Sequence, residues 1–409
     1  MEGRDRRWRA KQTGGVKLFF DDAEFDGQLQ RTAAKACYGC TDLGEMFAVA
    51  ARIPAGDYDS WYGEWFSAGE DNQQLAEREA SRGHDVNASF AHLRASECYR
   101  SAYFFCRRDP DAQALHAAWS RSRDMFRAAI PGLPFEIEQV QIPFQDVQLE
   151  GYVLRRPAAR GPTILWPAGY DSPVEEFYSL GGWEAAARGF TVLTFSGPGQ
   201  AEMLYERKIP FRPDFETVVG PVVDFVEARE DLDAQRLAIV GRSFGGYLAP
   251  RAASKDQRIR ALAADPAQFD MGALFRARMP APMLDLLDKG DSAFNDMIWA
   301  VYPGVHGQEF WLSRAHAHGL STPLEYAREM SNYVVDIDTI KCPTFVSYGE
   351  GDLAEGTTKE FYDRLPVDDK QFVMYRQADG GGGHCEGMGP SRYFTDVLGW
   401  LQDVWPTES

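Results

Sequence analysis

Gly241-Arg242-Ser243-Phe244-Gly245-Gly246 reads as G-x-S-x-G, directly after the apolar run Leu237-Ala238-Ile239-Val240 and before a helical stretch. A strand that turns this sharply into a helix lifts the serine hydroxyl above the strand ends, and the turn needs glycines where a Cβ would clash. The chemistry such a serine could do is attack on a carbonyl carbon. A hydroxyl is a poor nucleophile near neutral pH, so it needs a base, and the base needs a carboxylate to orient it. His384, in Gly381-Gly382-Gly383-His384-Cys385-Glu386, is the only histidine after residue 318 and is the expected base. Asp352, in Gly349-Glu350-Gly351-Asp352, is the expected acid, with Glu350 and Glu386 as nearby competitors. The chain order serine, acid, histidine is the one that accompanies an elbow of this kind.

The tetrahedral intermediate of such a reaction needs two N–H donors for its oxyanion. Phe244 should supply one from the start of the helix. The second is expected from Pro167-Ala168-Gly169-Tyr170-Asp171-Ser172, through the backbone of Tyr170 or of Gly169. Arg242 could bind an acidic substrate group, although an arginine there more often serves as a salt-bridge partner. Asp171 is a further candidate for touching substrate; the aromatic run Tyr99, Tyr103, Phe104 and Phe105 reads as core packing, with a pocket wall as the alternative that would make Tyr99 and Tyr103 substrate contacts. Asp265 and Asp270 could each be a second functional carboxylate or a helix cap. His306, His316 and His318 are read as polar lid residues, since no carboxylate or cysteine spacing beside them suggests a metal. Cys37-x-x-Cys40 stands alone and does not make a zinc site either.

These groups must be held by particular elements. Residues 1–135 show apolar recurrence at three and four spacing, clearest from Phe90 to Phe105, with no strand–helix alternation. At Phe135 the texture changes. Glu138 to Leu154 alternates apolar and polar residues about Gln145-Asp146, a hairpin pattern. Short apolar strands at Thr163–Trp166, Phe190–Phe195, Leu237–Val240 and Ile259–Ala264 then alternate with helices, including one over about Asp214–Glu230. That order predicts a parallel, doubly wound sheet with right-handed crossovers. Residues 268–335, rich in aromatic residues and methionine, read as a helical insertion. Strands at Thr344–Tyr348 and Gln371–Tyr375 and a helix over about Tyr393–Val404 complete the pattern. The organisation is therefore a helical unit over 1–135, a core in two parts (136–267 and 336–409), and an insertion over 268–335.

Composition narrows the partners. The chain has 409 residues, 44% hydrophobic, with a formal net charge of −18. That charge repels nucleic acid and anionic lipid, which leaves a small molecule as the expected partner. No apolar run is long enough to span a membrane, and the Met1–Arg7 start is not followed by a signal-like segment, so a cytoplasmic protein with reduced thiols is expected.

Two N-terminal segments are more specific than the elbow. Arg52-Ile53-Pro54-Ala55-Gly56-Asp57-Tyr58-Asp59-Ser60-Trp61 and Leu93 to Phe105, together with Gly169-Tyr170-Asp171-Ser172, resemble one branch of the α/β-hydrolases. That branch includes 2,6-dihydroxypseudooxynicotine hydrolase and the fungal heptaketide-shortening hydrolases, with FrsA-type esterases as more distant relatives. The resemblance runs from about residue 18 to 405. It implies an α/β-hydrolase fold with an N-terminal helical cap over the active site, and a triad mapped to Ser243, Asp352 and His384. It also implies cleavage of a C–C bond next to a ketone, no cofactor, and a homodimer. The Gly380–Gly383 run departs from that branch and is expected to loosen the His384 loop. Hydrolysis of a ketone, β-diketone or ester in an aromatic or polyketide-like molecule is the leading expectation. Acyl transfer, elimination or cyclisation by the same triad is the alternative within enzymes, and a non-catalytic binding protein on this fold is the alternative outside them.

Overall fold

The computed structural model describes residues 17–387 and 389–406; the Met1–Arg7 start lies outside them. Among the described residues five α-helices come first: α1 (Ala23–Ala33), α2 (Leu43–Ala50), α3 (Tyr58–Ser81), α4 (Asp85–Tyr103) and α5 (Gln113–Ala129). Side-chain caps set the starts of α1, α2 and α3. Asp22 accepts from the N–H groups of Glu24 and Phe25, and Asp57 accepts from that of Ser60. The helices bury an aromatic cluster of their own that includes Phe25, Trp61, Trp65, Phe105 and Trp119. The Trp61 indole N–H is satisfied there by the Ser101 carbonyl at 2.8 Å.

The hairpin follows as β1 (Glu136–Phe144) and β2 (Val147–Arg155), antiparallel in the register Phe144↔Val147. Gln145 takes a φ of 49° in the turn between them. The chain then alternates β3 (Thr163–Leu165), α6 (Gly182–Ala187), β4 (Thr191–Phe195), α7 (Ala201–Tyr205), α8 (Glu216–Glu227), β5 (Leu237–Arg242), α9 (Gly245–Ala253) and β6 (Ala261–Asp265). Five helices interrupt the rhythm: α10 (Met271–Arg276), α11 (Ala281–Lys289), α12 (Ala293–Val301), α13 (Gly304–Ala317) and α14 (Pro323–Glu329). It resumes with β7 (Thr344–Gly349), α15 (Glu355–Arg364), β8 (Lys370–Tyr375) and α16 (Pro390–Val404). The last helix starts three residues before the position expected, because proline is well suited to its first turn.

Among the described residues eight strands form one sheet in the order β1-β2-β4-β3-β5-β6-β7-β8, parallel from β4 through β8. Its central strands are buried on both faces, which is why they read as continuous apolar runs. The two-residue period still sorts them. Leu165, Leu193, Ile239 and Leu262 pack on one side with the valines of α8, while Ile164, Val192, Ala238 and Ala261 pack on the other with α6 and α16. Parallel strands end together, so the loops after β3, β5, β6, β7 and β8 open on one edge. Among the described residues, no helix is long and apolar enough to cross a membrane.

Candidate active site

Ser243 sits at the end of β5 with a φ of 57°, a left-handed backbone that a non-glycine residue adopts at a cost. The turn closes because its neighbours have no side chains. A Cβ on Gly241 would lie 1.9 Å from the Gly245 carbonyl oxygen, and one on Gly246 would lie 2.0 Å from that of Pro266. Three hydrogen bonds hold the strained residue. The Ser243 N–H donates to the Asp265 carbonyl at 2.8 Å, and its own carbonyl accepts from the Gly246 N–H at 2.9 Å and the Gln268 side-chain amide at 2.8 Å.

Ser243 Oγ lies 2.8 Å from His384 Nε2, and His384 Nδ1 lies 2.7 Å from Asp352 Oδ2. The other Asp352 oxygen accepts the Ala354 N–H at 2.7 Å, so this buried carboxylate is fully engaged. The two competing carboxylates are elsewhere: Glu350 accepts from the Gln377 N–H, and Glu386 turns toward Arg242. Burial lowers the pKa of His384, but the negative charges of Cys385, when ionised, and of Asp352 raise it further, and the result lies well above the usual histidine range. The imidazole is nonetheless half open (51%), facing the space beside the serine.

The glycine run before His384 is not loose. The Gly383 N–H donates to the Glu350 carbonyl at 2.9 Å and the Gly381 N–H to that of Arg376 at 3.1 Å. A Cβ on Gly381 would meet Tyr375 at 2.8 Å, and Gly383 has a φ of 86°. The glycines are there for close packing against the end of β8 and for a left-handed turn into His384.

The loop after β3 reaches the elbow. A Cβ on Gly169 would be 3.2 Å from Ser243 Cβ and 3.4 Å from the Phe244 nitrogen. The backbone N–H groups of Phe244, Gly169 and Tyr170 have no acceptor among the described residues. The Tyr170 ring stacks on Phe244 at 4.1 Å. Its hydroxyl is hydrogen-bonded to His318 Nε2 at 2.5 Å, and His318 Nδ1 to the Tyr333 hydroxyl at 2.7 Å. Burial pushes the His318 pKa down to about 3, so this ring is a neutral bridge between two phenols and not a polar lid residue.

Ser243 and His384 open into a cavity of about 450 Å³. The edge loops form its floor, α1 and the Phe104–Arg107 turn one wall, and the inserted helices another. Ion pairs join these walls. Arg107 and Arg314, the latter at 3.2 Å, both pair with Asp171. Arg31 pairs with Glu176 and donates to the Asp171 carbonyl at 3.1 Å. Lys35 bridges Glu97 and Glu176 beneath α1. Burial would raise the Asp171 pKa, but the two guanidinium groups hold it far below the carboxylate range. Nothing in the sequence pointed to this cluster, whose members come from four separate stretches of chain.

Of the residues expected to touch substrate, Arg242 and Asp171 line the cavity and Tyr99 and Tyr103 do not. The Tyr99 hydroxyl donates to Gln73 at 3.0 Å and accepts from Arg121 at 3.2 Å, while Tyr103 is buried in the N-terminal aromatic cluster. The helical period that suggested them was that of the core. Arg242 is spent on structure: it meets Glu386 at 2.7 Å, the Cys385 carbonyl at 2.7 Å and Asp265 at 3.1 Å, and its guanidinium lies over Tyr393 at 4.6 Å. Asp265 is therefore an ion-pair partner, and Asp270 caps α10 through the Ala273 N–H at 2.8 Å. The described residues hold no group of three or more metal-ligating side chains.

Residues 163–390 match the profile of the alpha/beta hydrolase family. The chain belongs to that family. It is 32% identical to Hydrolase acrC of Aspergillus aculeatus, over 89% of this chain and 92% of that protein. It is 31% identical to 20-hydroxy-prefusarin hydrolase FUS2 of Gibberella moniliformis, over 90% and 92%. Among solved structures it resembles 2,6-dihydroxy-pseudo-oxynicotine hydrolase, with a TM-score of 0.72 at 21% identity, covering 91% of this chain and 95% of that one. The alpha/beta hydrolase fold and the N-terminal helices are common to both, as the sequence led one to expect, and the protein is a hydrolase.

Proposed function

We propose that this hydrolase cleaves a C–C bond next to a ketone, or an ester, in an aromatic or polyketide-like small molecule, with Ser243, His384 and Asp352 as its triad. The observation that carries the reading is the chain of hydrogen bonds from Ser243 Oγ through His384 to Asp352, at 2.8 and 2.7 Å. His384 Nε2 takes the Ser243 proton as Oγ attacks the carbonyl, and Asp352 stabilises the imidazolium that forms. The free N–H groups of Phe244 and of Tyr170 or Gly169 receive the oxyanion. Collapse expels an alkoxide or, in C–C cleavage, an enolate-stabilised carbanion, which takes the proton back from His384. Water then repeats the sequence on the acyl-enzyme, and no cofactor is required.

The N-terminal helices serve as the cap. Arg31, Lys35 and Arg107 tie them to the loop after β3, so that the cavity closes from above. An aromatic substrate fits the lining, which includes Phe104, Phe105, Phe275 and Phe310. A relative whose name gives a prefusarin-type substrate supports the same class. A fluorophosphonate probe tests the reading directly. The intact protein should gain one adduct, mapped to Ser243, and Ser243→Ala should gain none; an unlabelled wild-type protein would refute the proposal.

A further inference from the structure

The cavity holds several cations, and all but one are already answered. Arg31 pairs with Glu176, Arg107 and Arg314 with Asp171, and Arg242 with Glu386 and Asp265. His306 faces Glu24 at 3.5 Å. Arg278 is different. It lies in the turn after α10 and lines the cavity beside Leu274, Phe275 and the Gly351–Leu353 loop that carries Asp352. No carboxylate among the described residues lies within ion-pair distance of it. Arg276, two residues earlier and outside the cavity, is paired with Asp288 at 2.7 Å.

Arg278 is exposed, and a solvated guanidinium that lines the cavity with no carboxylate partner among the described residues is free to take up an anion that enters there. The excess of acidic residues repels an anionic ligand at long range, but salt screens that field over about 8 Å at physiological ionic strength. Inside the cavity the local charges decide, and the guanidinium fork matches a carboxylate in two parallel hydrogen bonds. The groups packed around the Arg278 guanidinium disfavour its charge, the nearby Asp352 carboxylate favours it, and a substrate carboxylate would add to that favourable side.

We infer that Arg278 is a specificity residue that binds a carboxylate on the substrate, placing the scissile carbonyl against Ser243. This deepens the hydrolase reading above and rests on it. Mono-p-nitrophenyl succinate and p-nitrophenyl butyrate carry acyl chains of equal length and differ in that charge. The wild-type protein should favour the succinate ester in kcat/KM. Arg278→Gln should cut the succinate-to-butyrate ratio at least tenfold, through KM, and Arg278→Lys should restore part of it. Arg276→Gln should leave the ratio where it was.

A second measurement covers a protein that turns over neither ester. 3-Phenylpropionate should slow fluorophosphonate labelling of Ser243 at least tenfold more than 3-phenylpropanamide does, and Arg278→Gln should abolish that difference. A ratio and a protection pattern that Arg278→Gln does not change would overturn this inference and leave the hydrolase reading intact. Absence of labelling in the wild type would remove both.

Discussion

His318 offers a prediction whose size follows from its surroundings. The residue is 6% exposed, its ring sits between the Tyr170 and Tyr333 hydroxyls, and burial pushes its pKa down to about 3 in the folded chain. An unfolded histidine titrates near 6.5. Between those values the unfolded chain binds a proton that the folded chain refuses, so acid favours unfolding. The contribution of His318 is whole above about pH 6.5 and is lost at about 1.4 kcal/mol per unit as pH falls toward 3. At pH 5 the loss is about 2 kcal/mol by the same slope. His318→Gln keeps a donor and an acceptor but does not titrate. Urea unfolding followed by tryptophan fluorescence at pH 7.5 and pH 5 gives four stabilities, in which the other titrating groups cancel. The advantage of wild type over the variant should shrink by about 2 kcal/mol at the lower pH. A gap that stays the same within about 0.5 kcal/mol would refute the buried neutral ring.

Three further outcomes are expected. Asp352→Asn should lower kcat by roughly 10³–10⁴ by leaving His384 without its orienting charge. In the wild type kcat/KM should rise with pH through a point above the usual histidine range, and the variant should move that limb to lower pH, as a pH–rate profile will show. Arg242→Met leaves Glu386 and Asp265 buried without their cation and should cost about 3–5 kcal/mol in chemical denaturation. Gly246→Ala sets a Cβ 2.0 Å from the Pro266 carbonyl; it should destabilise the chain by about 1–3 kcal/mol or more and slow Ser243 labelling, measured on the same sample.

Much of the arrangement was legible because the relevant physics is local. A tight strand-to-helix turn demands glycine, so G-x-S-x-G announced where Ser243 would stand. Central parallel strands are buried on both faces, so β3, β4, β5 and β6 appeared as short apolar runs with only their ends shifted by a residue or two. His384 is the only histidine after residue 318, which singled it out without any geometry. The helical period left Tyr99 and Tyr103 open between core and pocket wall, since a stripe of aromatic residues looks the same whether it faces a core or a cavity, and the structure places them in the core.

What the sequence determined by itself was the order of the elements and the types of residue at the strand ends, because backbone sterics and hydrophobic burial act over a few neighbouring residues. Which charges meet was decided only by tertiary structure. Arg31, Arg107, Asp171, Glu176 and Arg314 are up to 283 positions apart and become partners because the helices before β1 and those after β6 close over the same sheet edge. Along the sheet edge itself the end of β5 sets Arg242 against Glu386 in the loop after β8, while Arg278, in the turn after α10, meets no carboxylate partner among the described residues. Desolvation and pairing depend on distance in space, and that distance is not written in the spacing of residues along the chain.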